Sequence, residues 1–123
     1  MTDNADLARP ALQQAGDAII VVNTHGIIRE WNDACVATFG FTPEQALGQD
    51  VKLIIPERLR AAHDRGFGAA MAAGRLSSNG HPRRTKALTA GGDTVYVTMT
   101  FAVVNEDAGP AIGSVAVARS EQG

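Results

Sequence analysis

The stretch GDAIIVVNTHGIIREWNDACVATFGFTPEQALGQDVKLIIP, residues 16–56, decides the fold because it passes from strand signals to helix signals within one short span. Residues 18–22 are rich in β-branched side chains, and residues 27–31 resume a similar composition. The segment 23–26 between them has the polar and glycine residues of a turn. Together these segments predict a β-hairpin.

Two short helices are predicted to follow this hairpin. Asn32 is a good N-cap for a helix over residues 33–39, which Gly40 ends. A second helix over residues 42–47 begins with threonine and proline and stops at Gly48.

The second half of the chain predicts one longer helix and three strands. Pro56 and Gly74 bracket the helix. A second hairpin follows, with strands at 84–89 and 94–105 around the turn Ala-Gly-Gly-Asp, and the last strand covers residues 112–118. Alternating residues of the long strand share one face: Val95, Val97, Met99, Phe101 and Val103.

Residues 7–15 form a helical pattern ahead of the first hairpin, in which Pro10 is tolerable only in the first turn. The predicted order of elements favours an α+β fold, an antiparallel sheet covered by helices on one face. We expect residues 1–16 to be an N-terminal cap helix and lead-in, residues 17–119 the domain, and residues 120–123 a tail.

Length and composition exclude several classes of function. The chain has 123 residues, enough for one domain with its own core, and its formal charge of −2 provides no overall basic field for nucleic acid. One cysteine excludes an internal disulfide framework, and no apolar run approaches the roughly 20 residues of a membrane span. The acidic N-terminal segment does not resemble a secretion signal. We therefore expect a cytoplasmic protein that binds neither nucleic acid nor membrane.

The helix between Pro56 and Gly74 carries a histidine on its apolar face. Residues three, four or seven positions apart share a helix face, which groups Leu59, His63, Phe67, Ala70 and Met71. A buried neutral imidazole must satisfy two nitrogens. Two interpretations of His63 stay open on these grounds: a core histidine bonded to the backbone, and a metal ligand.

Residues 16–56, with the later segment AGGDTVYV at 90–97, resemble PAS domains over nearly the whole chain. The resemblance implies a PAS fold, with a five-stranded antiparallel sheet, helices over one face, and a ligand cavity between the long helix and the inner face of the sheet. Within that family, IIPERLRAAHDRGF at residues 54–67 is similar to the haem-binding PAS domains of the rhizobial oxygen-sensing histidine kinases. This likeness implies that His63 is the proximal ligand of a noncovalent haem b.

The likeness extends beyond the helix. In those sensors an arginine downstream of the histidine contacts the ligand bound to haem, and Arg83 has the same spacing, 83 − 63 = 20 residues. Met99 and Phe101 fall where those sensors place aliphatic residues above the haem. The resemblance therefore implies Arg83 as the residue acting on the bound small molecule. It also implies a cofactor site formed by His63, Leu59, Phe67, Met71, Arg84, Met99 and Phe101.

The resemblance has departures and plainer alternatives. Ala69 and Ser77 stand where those sensors direct basic residues at the haem propionates. Met99 is also explained as a core residue, and Arg83 with Arg84 as part of a solvated surface. Four residues are alternative partners of the propionates: Arg75, His81, Arg84 and Lys86.

Other cofactor classes have little support in the sequence. Cys35 lies in the first short helix, away from the long helix in which flavin-binding light sensors of this fold place a reactive cysteine, and their Asn-Cys-Arg-Phe-Leu motif is absent. No Cys-x-x-Cys-His motif occurs for covalent haem, and no glycine-rich phosphate loop is found.

Three functions stay open. The first is a stand-alone haem protein with redox-dependent, lyase-type chemistry on a small nitro compound, similar to the haem-dependent N-nitroglycine lyase. We favour it slightly, because the Asp-x-Thr coupling motif of sensor PAS domains is not found at the last strand. The second is a haem-based sensor of redox state or of O2, CO or NO that signals in trans, unless the chain is a fragment. The third is a PAS module that binds an organic ligand or a partner without haem. PAS domains often pair, so we expect a homodimer through Leu7 and Leu12.

Overall fold

The order of helices and strands matches the predicted one. A computed structural model describes residues 4–76 and 80–121 of the chain. Its helices and strands are α1 (Asn4–Gln14), β1 (Ala18–Asn23), β2 (Ile28–Trp31), α2 (Asp33–Phe39), α3 (Pro43–Ala46), α4 (Arg60–Ala73), β3 (Arg83–Leu88), β4 (Thr94–Asn105) and β5 (Ala111–Ser120). Two 3₁₀ turns, Val51–Ile54 and Glu57–Leu59, lie between α3 and α4.

The five strands form one sheet in the order β2-β1-β5-β4-β3. Each pair of neighbours in this sheet is antiparallel. β1 and β5 pair near the middle of the sheet, where Ala18 lies opposite Ala118. The predicted α+β architecture with a five-stranded antiparallel sheet is therefore confirmed.

Residues of the strands alternate between a buried and an exposed face. In β4, Val97 and Met99 are 0% and 6% exposed, whereas the intervening Thr98 is exposed and Tyr96 is 39% exposed. The buried face packs under the helices and forms the core with residues of β1, β2 and α2. The largest side chains buried there are Trp31 and Phe39, whose ring centroids lie 5.6 Å apart.

Asn32 is fully buried and joins three elements. Its Oδ1 accepts hydrogen bonds from the backbone N–H groups of Ile19 at 2.9 Å and Cys35 at 3.2 Å. Its Nδ2 donates to the carbonyl oxygens of Leu12 at 2.9 Å and Asp17 at 3.0 Å. The amide thereby uses both of its donor hydrogens and both acceptor positions. The predicted N-cap of α2 therefore also fixes α1 and β1.

The predicted ends of the short helices are confirmed. Gly40 ends α2 with a φ of 84°, in the left-handed region that side chains with a Cβ avoid. Thr42 and Gln45 form a capping box at α3, since the Thr42 hydroxyl accepts from the Gln45 N–H and the Gln45 side chain accepts from the Thr42 N–H.

The prediction that Pro10 lies in the first turn of a helix is wrong, because α1 begins earlier and continues through it. Proline cannot donate the hydrogen bond that its position in the helix requires. Contacts with the rest of the domain hold α1 instead, including the bond from Asn32 and an ion pair between Arg9 and Glu30 at 3.1 Å.

The long helix begins later than predicted. Residues Glu57–Leu59 after Pro56 form a 3₁₀ turn, and α4 starts at Arg60. Arg60 Nε donates to the carbonyl oxygen of Ile55 at 2.9 Å, which ties this start to the preceding turn. Gly74 ends the helix as predicted, with a φ of 73°.

Strand limits differ from the predictions by one or two residues. β3 begins at Arg83 rather than at residue 84 and ends at Leu88. β5 continues to Ser120, which pairs with Val97, so the first residue assigned to the tail belongs to the sheet. Among the described helices, none combines the length and apolar character required to cross a membrane.

Candidate functional site

A pocket of about 490 Å³ lies between α4, the first 3₁₀ turn and the inner face of the sheet. Its walls are mainly aliphatic and aromatic, with a few polar groups, which is the usual composition of small-molecule sites. The residues that form the helical wall are Leu59, Ala62, His63, Gly66, Phe67, Ala70 and Met71. The residues that form the sheet wall include Ile20, Val22, Arg83, Thr85, Ala87, Met99, Phe101, Ser114 and Ala116.

The apolar stripe predicted on the long helix forms one wall of this pocket. Leu59, His63, Phe67 and Met71 line it and are partly buried, and Ala70 is buried. Among the charged residues of this segment, Arg60 is partly buried, whereas three are exposed: Arg58, Asp64 and Arg65. Helical periodicity alone therefore predicted five residues of the pocket.

The imidazole of His63 lines the pocket with one nitrogen buried. Its Nδ1 is inaccessible to solvent and has no hydrogen-bond partner, although the Asp64 Oδ1 lies 3.6 Å away. The ring stacks on Phe67, one helical turn later, with centroids 5.9 Å apart and planes 11° from parallel. About a quarter of the side chain, 26%, is exposed. The ring plane is therefore fixed by packing, whereas Nδ1 lacks a bond.

Arg83 and Arg84 are adjacent in β3 but point to opposite faces of the sheet. Arg83 lies opposite the buried Met99 and lines the pocket. Among the described residues, its guanidinium makes no hydrogen bond or ion pair. Arg84 also borders the pocket, but its guanidinium carbon lies 3.7 Å from the Tyr96 ring centroid and its Nε donates to Glu121 at 2.7 Å. Of the two arginines, Arg83 has the free cation.

Met99 and Phe101 line the pocket from the central part of the sheet. Met99 is 6% exposed and packs in the hydrophobic core, and the Phe101 side chain packs against that core. Met99 is therefore part of the hydrophobic core and also part of the pocket wall, so the two interpretations do not exclude each other.

The alternative propionate partners are dispersed. Arg75 and His81 do not line the pocket, and Ser77 lies outside the described residues. Lys86 borders the pocket, but its Nζ lies 5.4 Å from the centroid of the Tyr96 ring on the outer face. Arg83 is exposed to solvent and borders the pocket, so its guanidinium is a positive charge available at the edge of the pocket.

Several pocket residues were not predicted from the sequence. Ile20 and Val22 contribute from β1, and their alternation with the exposed-face residues of that strand could have identified them. The hydroxyls of Thr85 and Ser114 stand on the inner face of β3 and β5. The residues of the first 3₁₀ turn had no sequence signal, because a turn of four residues has no periodicity to reveal its buried side.

Comparison with known proteins identifies the family of this chain. Residues 8–120 match the sequence model of the family described as the PAS fold. The chain belongs to the PAS family. This match covers most of the chain, including all five strands and the part of α1 from residue 8 onward.

A curated relative of this PAS domain is the sensor protein FixL of Bradyrhizobium diazoefficiens. The two are 39% identical over 56 residues, which span 46% of this chain and 11% of FixL. The PAS domain thus corresponds to a small part of that protein.

Solved structures share the fold over nearly the whole PAS domain. A PAS domain from Colwellia psychrerythraea is 20% identical, with a TM-score of 0.80 and coverage of 97% of this chain and 98% of that one. A PAS domain of a LuxR-family transcriptional regulator from Burkholderia thailandensis, solved with ethanol, is 16% identical, with a TM-score of 0.70 and coverage of 97% of both chains. At these identities the likeness concerns the fold alone.

The residues of the pocket fit a haem group. An imidazole on an apolar wall is the donor that haem iron commonly takes, and the unbonded Nδ1 of His63 indicates a ring whose hydrogen-bonding capacity the protein alone does not fill. Gly66 lines the same wall, and a Cβ placed on it meets nothing within 4 Å, which leaves room beside the helix. In the described part of the chain, no three His, Cys, Asp or Glu side chains form a cluster that could hold a metal ion.

Proposed function

We propose that this PAS domain is a haem-binding sensor module in which His63 is the iron ligand. The observation that carries the proposal is the position of the His63 imidazole on the wall of an apolar pocket of about 490 Å³, with its Nδ1 buried and unbonded. Bound haem would supply an iron atom able to bind a small ligand and to exchange electrons.

The alternative of an ordinary core histidine is less well supported by the contacts of His63. A histidine retained only for packing is expected to bond the backbone with its buried nitrogen, because an unbonded buried polar group costs about 1–3 kcal/mol. The buried Nδ1 has no such bond. The contacts of His63 therefore lack the backbone bond expected of an ordinary core histidine.

A likeness to sensor proteins supports sensing over catalysis. Residues 54–67 resemble haem-binding PAS domains of oxygen-sensing kinases, and a stretch of 56 residues is 39% identical to part of a protein named as a sensor. We therefore place sensing of a diatomic gas or of redox state first.

Haem binding is tested by titrating haem into the purified protein and recording the absorption spectrum. We expect a Soret band that sharpens at one equivalent and shifts when CO is added to the reduced protein. His63→Ala should abolish the sharp band, whereas His25→Ala should not, since His25 is exposed in the turn after β1 and lies outside the pocket. An unchanged spectrum in His63→Ala would overturn the proposal.

A second candidate function is chemistry on a small anion or nitro compound such as a nitramine. The observation that favours it is the free guanidinium of Arg83 at the pocket wall, which can hold a carboxylate or nitro oxygen through paired hydrogen bonds. The test is an assay for nitrite after incubating the reduced, haem-loaded protein with N-nitroglycine. Turnover that Arg83→Ala removes would establish it, and tight reversible gas binding without turnover would exclude it.

We also propose that the domain forms a homodimer through α1. Leu7 is 59% exposed on that helix and would provide an apolar contact between two copies of the chain. Light scattering should give the mass of a dimer for the native protein and of a monomer for Leu7→Asp. A native monomer at micromolar concentration would contradict this expectation.

A further inference from the structure

We propose that the Asn105 side chain couples α4, the helix that lines the pocket, to the turn between β4 and β5 at residues 106–109. Its hydrogen bonds to Gly74 and Gly109 form the Asn105 bridge. A ligand that displaces α4 would release this bridge and change the conformation of the turn. The bridge is a property of the protein alone, and its use in sensing rests on the proposed function, in which the pocket holds haem.

The side-chain amide of Asn105 joins the two elements directly. Asn105 is the last residue of β4, and its Nδ2 donates to the carbonyl oxygen of Gly74 at 2.9 Å and to that of Gly109 at 3.1 Å. Gly74 is the C-cap of α4, and the Gly109 N–H closes the turn by donating to the carbonyl oxygen of Glu106. The two hydrogens of one amide therefore hold the end of a helix and a hairpin turn together.

α4 is attached to neighbouring segments at both of its ends. At its start, Arg60 Nε donates to the carbonyl oxygen of Ile55, and at its end the Asn105 amide holds Gly74. Between these attachments, side chains of the helix form one wall of the pocket. A ligand that displaces the helix therefore acts on the two attachments, and the one at Asn105 leads directly into the sheet.

A second hollow, of about 440 Å³, lies between the end of α4 and the turn. Met71 borders both this hollow and the ligand pocket, and Asn105, Gly74 and Gly109 border the hollow as well. Close packing fixes neighbouring elements in most protein interiors. Because the hollow is not filled by side chains of the described residues, the end of the helix has room to move relative to the turn.

The turn has a backbone conformation that its central residues disfavour. Asp107 and Ala108 have φ angles of 41° and 60°, the pattern of a type I′ turn. Such turns favour asparagine, aspartate or glycine, whereas the Cβ of alanine is crowded in the left-handed region. The bond from Asn105 to Gly109 is an added restraint on this turn. Loss of that bond should therefore let the turn relax.

The Asn105 bridge can release without unfolding the domain. Asn105 is exposed, and an exposed hydrogen bond is exchanged for bonds to water at little net cost. Release would free the end of α4 and the turn together. The domain would then have two states that differ both at the pocket wall and at a surface turn, which is what coupling between two sites requires.

Hydrogen exchange of backbone amides, followed by NMR, tests the bridge in the protein without haem. The N–H of Gly74 reports the end of α4 and the N–H of Gly109 reports the turn, since each makes a backbone hydrogen bond. Asn105→Ala should speed the exchange of both amides by about fivefold or more, the effect of losing one hydrogen bond. Faster exchange of Gly109 alone would show that Asn105 only stabilises its own turn, and would overturn the inference.

Asn23→Ala is the matched control. Asn23 ends β1, and its Oδ1 accepts from the N–H groups of His25 and Ile27 in the turn before β2. The substitution therefore removes an asparagine of the same kind from the other hairpin. It should leave the exchange of the Gly74 and Gly109 amides unchanged. Equal acceleration of these amides in Asn23→Ala would indicate general destabilisation and would also overturn the inference.

Haem binding tests whether the bridge transmits a change. In the native protein, haem should change the exchange rate of the Gly109 N–H by about fivefold, the lower end of ordinary coupling between sites, although Gly109 does not line the pocket. Asn105→Ala should still bind haem with a Soret band, but haem should no longer change that rate.

The outcomes separate this inference from the proposed function. If haem binds and changes the Gly109 rate equally in the native protein and Asn105→Ala, or in neither, this inference fails and the proposed function stands. If the native protein binds no haem, the proposed function fails, and with it the use of the bridge in sensing. The exchange of Gly74 and Gly109 without haem then still decides whether Asn105 couples α4 to the turn.

Discussion

Arg83 lies directly opposite Met99 across the β3–β4 ladder, and both side chains are on the face of the sheet that lines the pocket. Its neighbour Arg84 lies opposite Thr98 and contacts Tyr96 and Glu121 instead. Two adjacent arginines of one strand therefore have separate environments, which provides a matched pair of variants.

Arg83→Ala should weaken the binding of a small anion, such as azide, to the haem-loaded protein by about 10-fold, because a charge-assisted hydrogen bond contributes roughly 1.5–3 kcal/mol. Arg84→Ala should change this affinity by less than about twofold. Spectroscopic titration of both variants measures the effect. Equal losses in the two variants would indicate a general effect of charge rather than a contact from Arg83.

Gly66→Ala should stabilise the protein without haem and weaken haem binding. In an exposed helix interior, alanine is favoured over glycine by about 0.5–1 kcal/mol, and a Cβ at Gly66 meets no atom within 4 Å. However, Gly66 lines the pocket, so the added Cβ would take up space that haem would occupy. Gly68→Ala is the control, since Gly68 has the same open surroundings on α4 but does not line the pocket.

Thermal unfolding and haem titration should separate these two glycines. Both alanine variants should raise the Tm of the protein without haem, and only Gly66→Ala should lower haem affinity. A loss of affinity in Gly68→Ala as large as that in Gly66→Ala would show that the flexibility of the helix, not space in the pocket, limits binding.

Asn32→Ala should destabilise the domain by about 3 kcal/mol. The substitution removes four hydrogen bonds, including those that the amide makes with partly buried backbone groups of Ile19, Leu12 and Asp17. Asn32→Asp should be at least as harmful, because a carboxylate cannot donate to the two carbonyl oxygens. Urea unfolding followed by circular dichroism measures both, and a loss below about 1 kcal/mol would show that water replaces the amide.

Cys35 should make the stability of the domain decrease at alkaline pH. Burial raises the pKa of the Cys35 thiol from 9.0 to about 11, partly offset by hydrogen bonds with Asn32 and Ile19. Because the folded state retains the proton longer, the stabilisation is complete below pH 9 and is lost as the pH rises from about 9 to about 11. The total amounts to about 3 kcal/mol at most.

The contribution of this thiol is isolated by comparing the native protein with Cys35→Ala. The difference between the free energies of unfolding of the two proteins, measured by urea unfolding from pH 8 to pH 11, is the diagnostic quantity. The difference should shrink as the pH rises. A constant difference would mean that the thiol ionises equally well in the folded and unfolded states.

Local signals in the sequence were sufficient for the elements of the fold. Asn32, Gly40 and the capping box at Thr42 mark helix ends through bonds within a few residues, so the short helices were predicted closely. The alternation in β4 and the stripe on α4 likewise record which side is buried, because each has a regular period. Where the predictions failed, as at Pro10, contacts from elsewhere in the domain outweighed a local rule.

The candidate site was predictable only in part, because contacts between separate elements leave no local pattern in the sequence. The helical stripe placed His63 on the pocket side, but no period connects Lys52 to Asp64 or assigns Arg84 to Tyr96. These pairs depend on how separate elements meet. A turn that contributes Ile54 to the pocket has too few residues to show a pattern.

The pairing of Ala18 with Ala118 has a mechanical consequence. Antiparallel neighbours lie roughly 5 Å apart, so the backbone that leads into β1 and the backbone that leaves β5 run side by side. Arg119 and Asp17 fasten this point further with two contacts, at 3.0 and 3.3 Å. Segments joined to both ends would therefore emerge together from the middle of the sheet, and a force that separates them would act by unzipping the β1–β5 ladder.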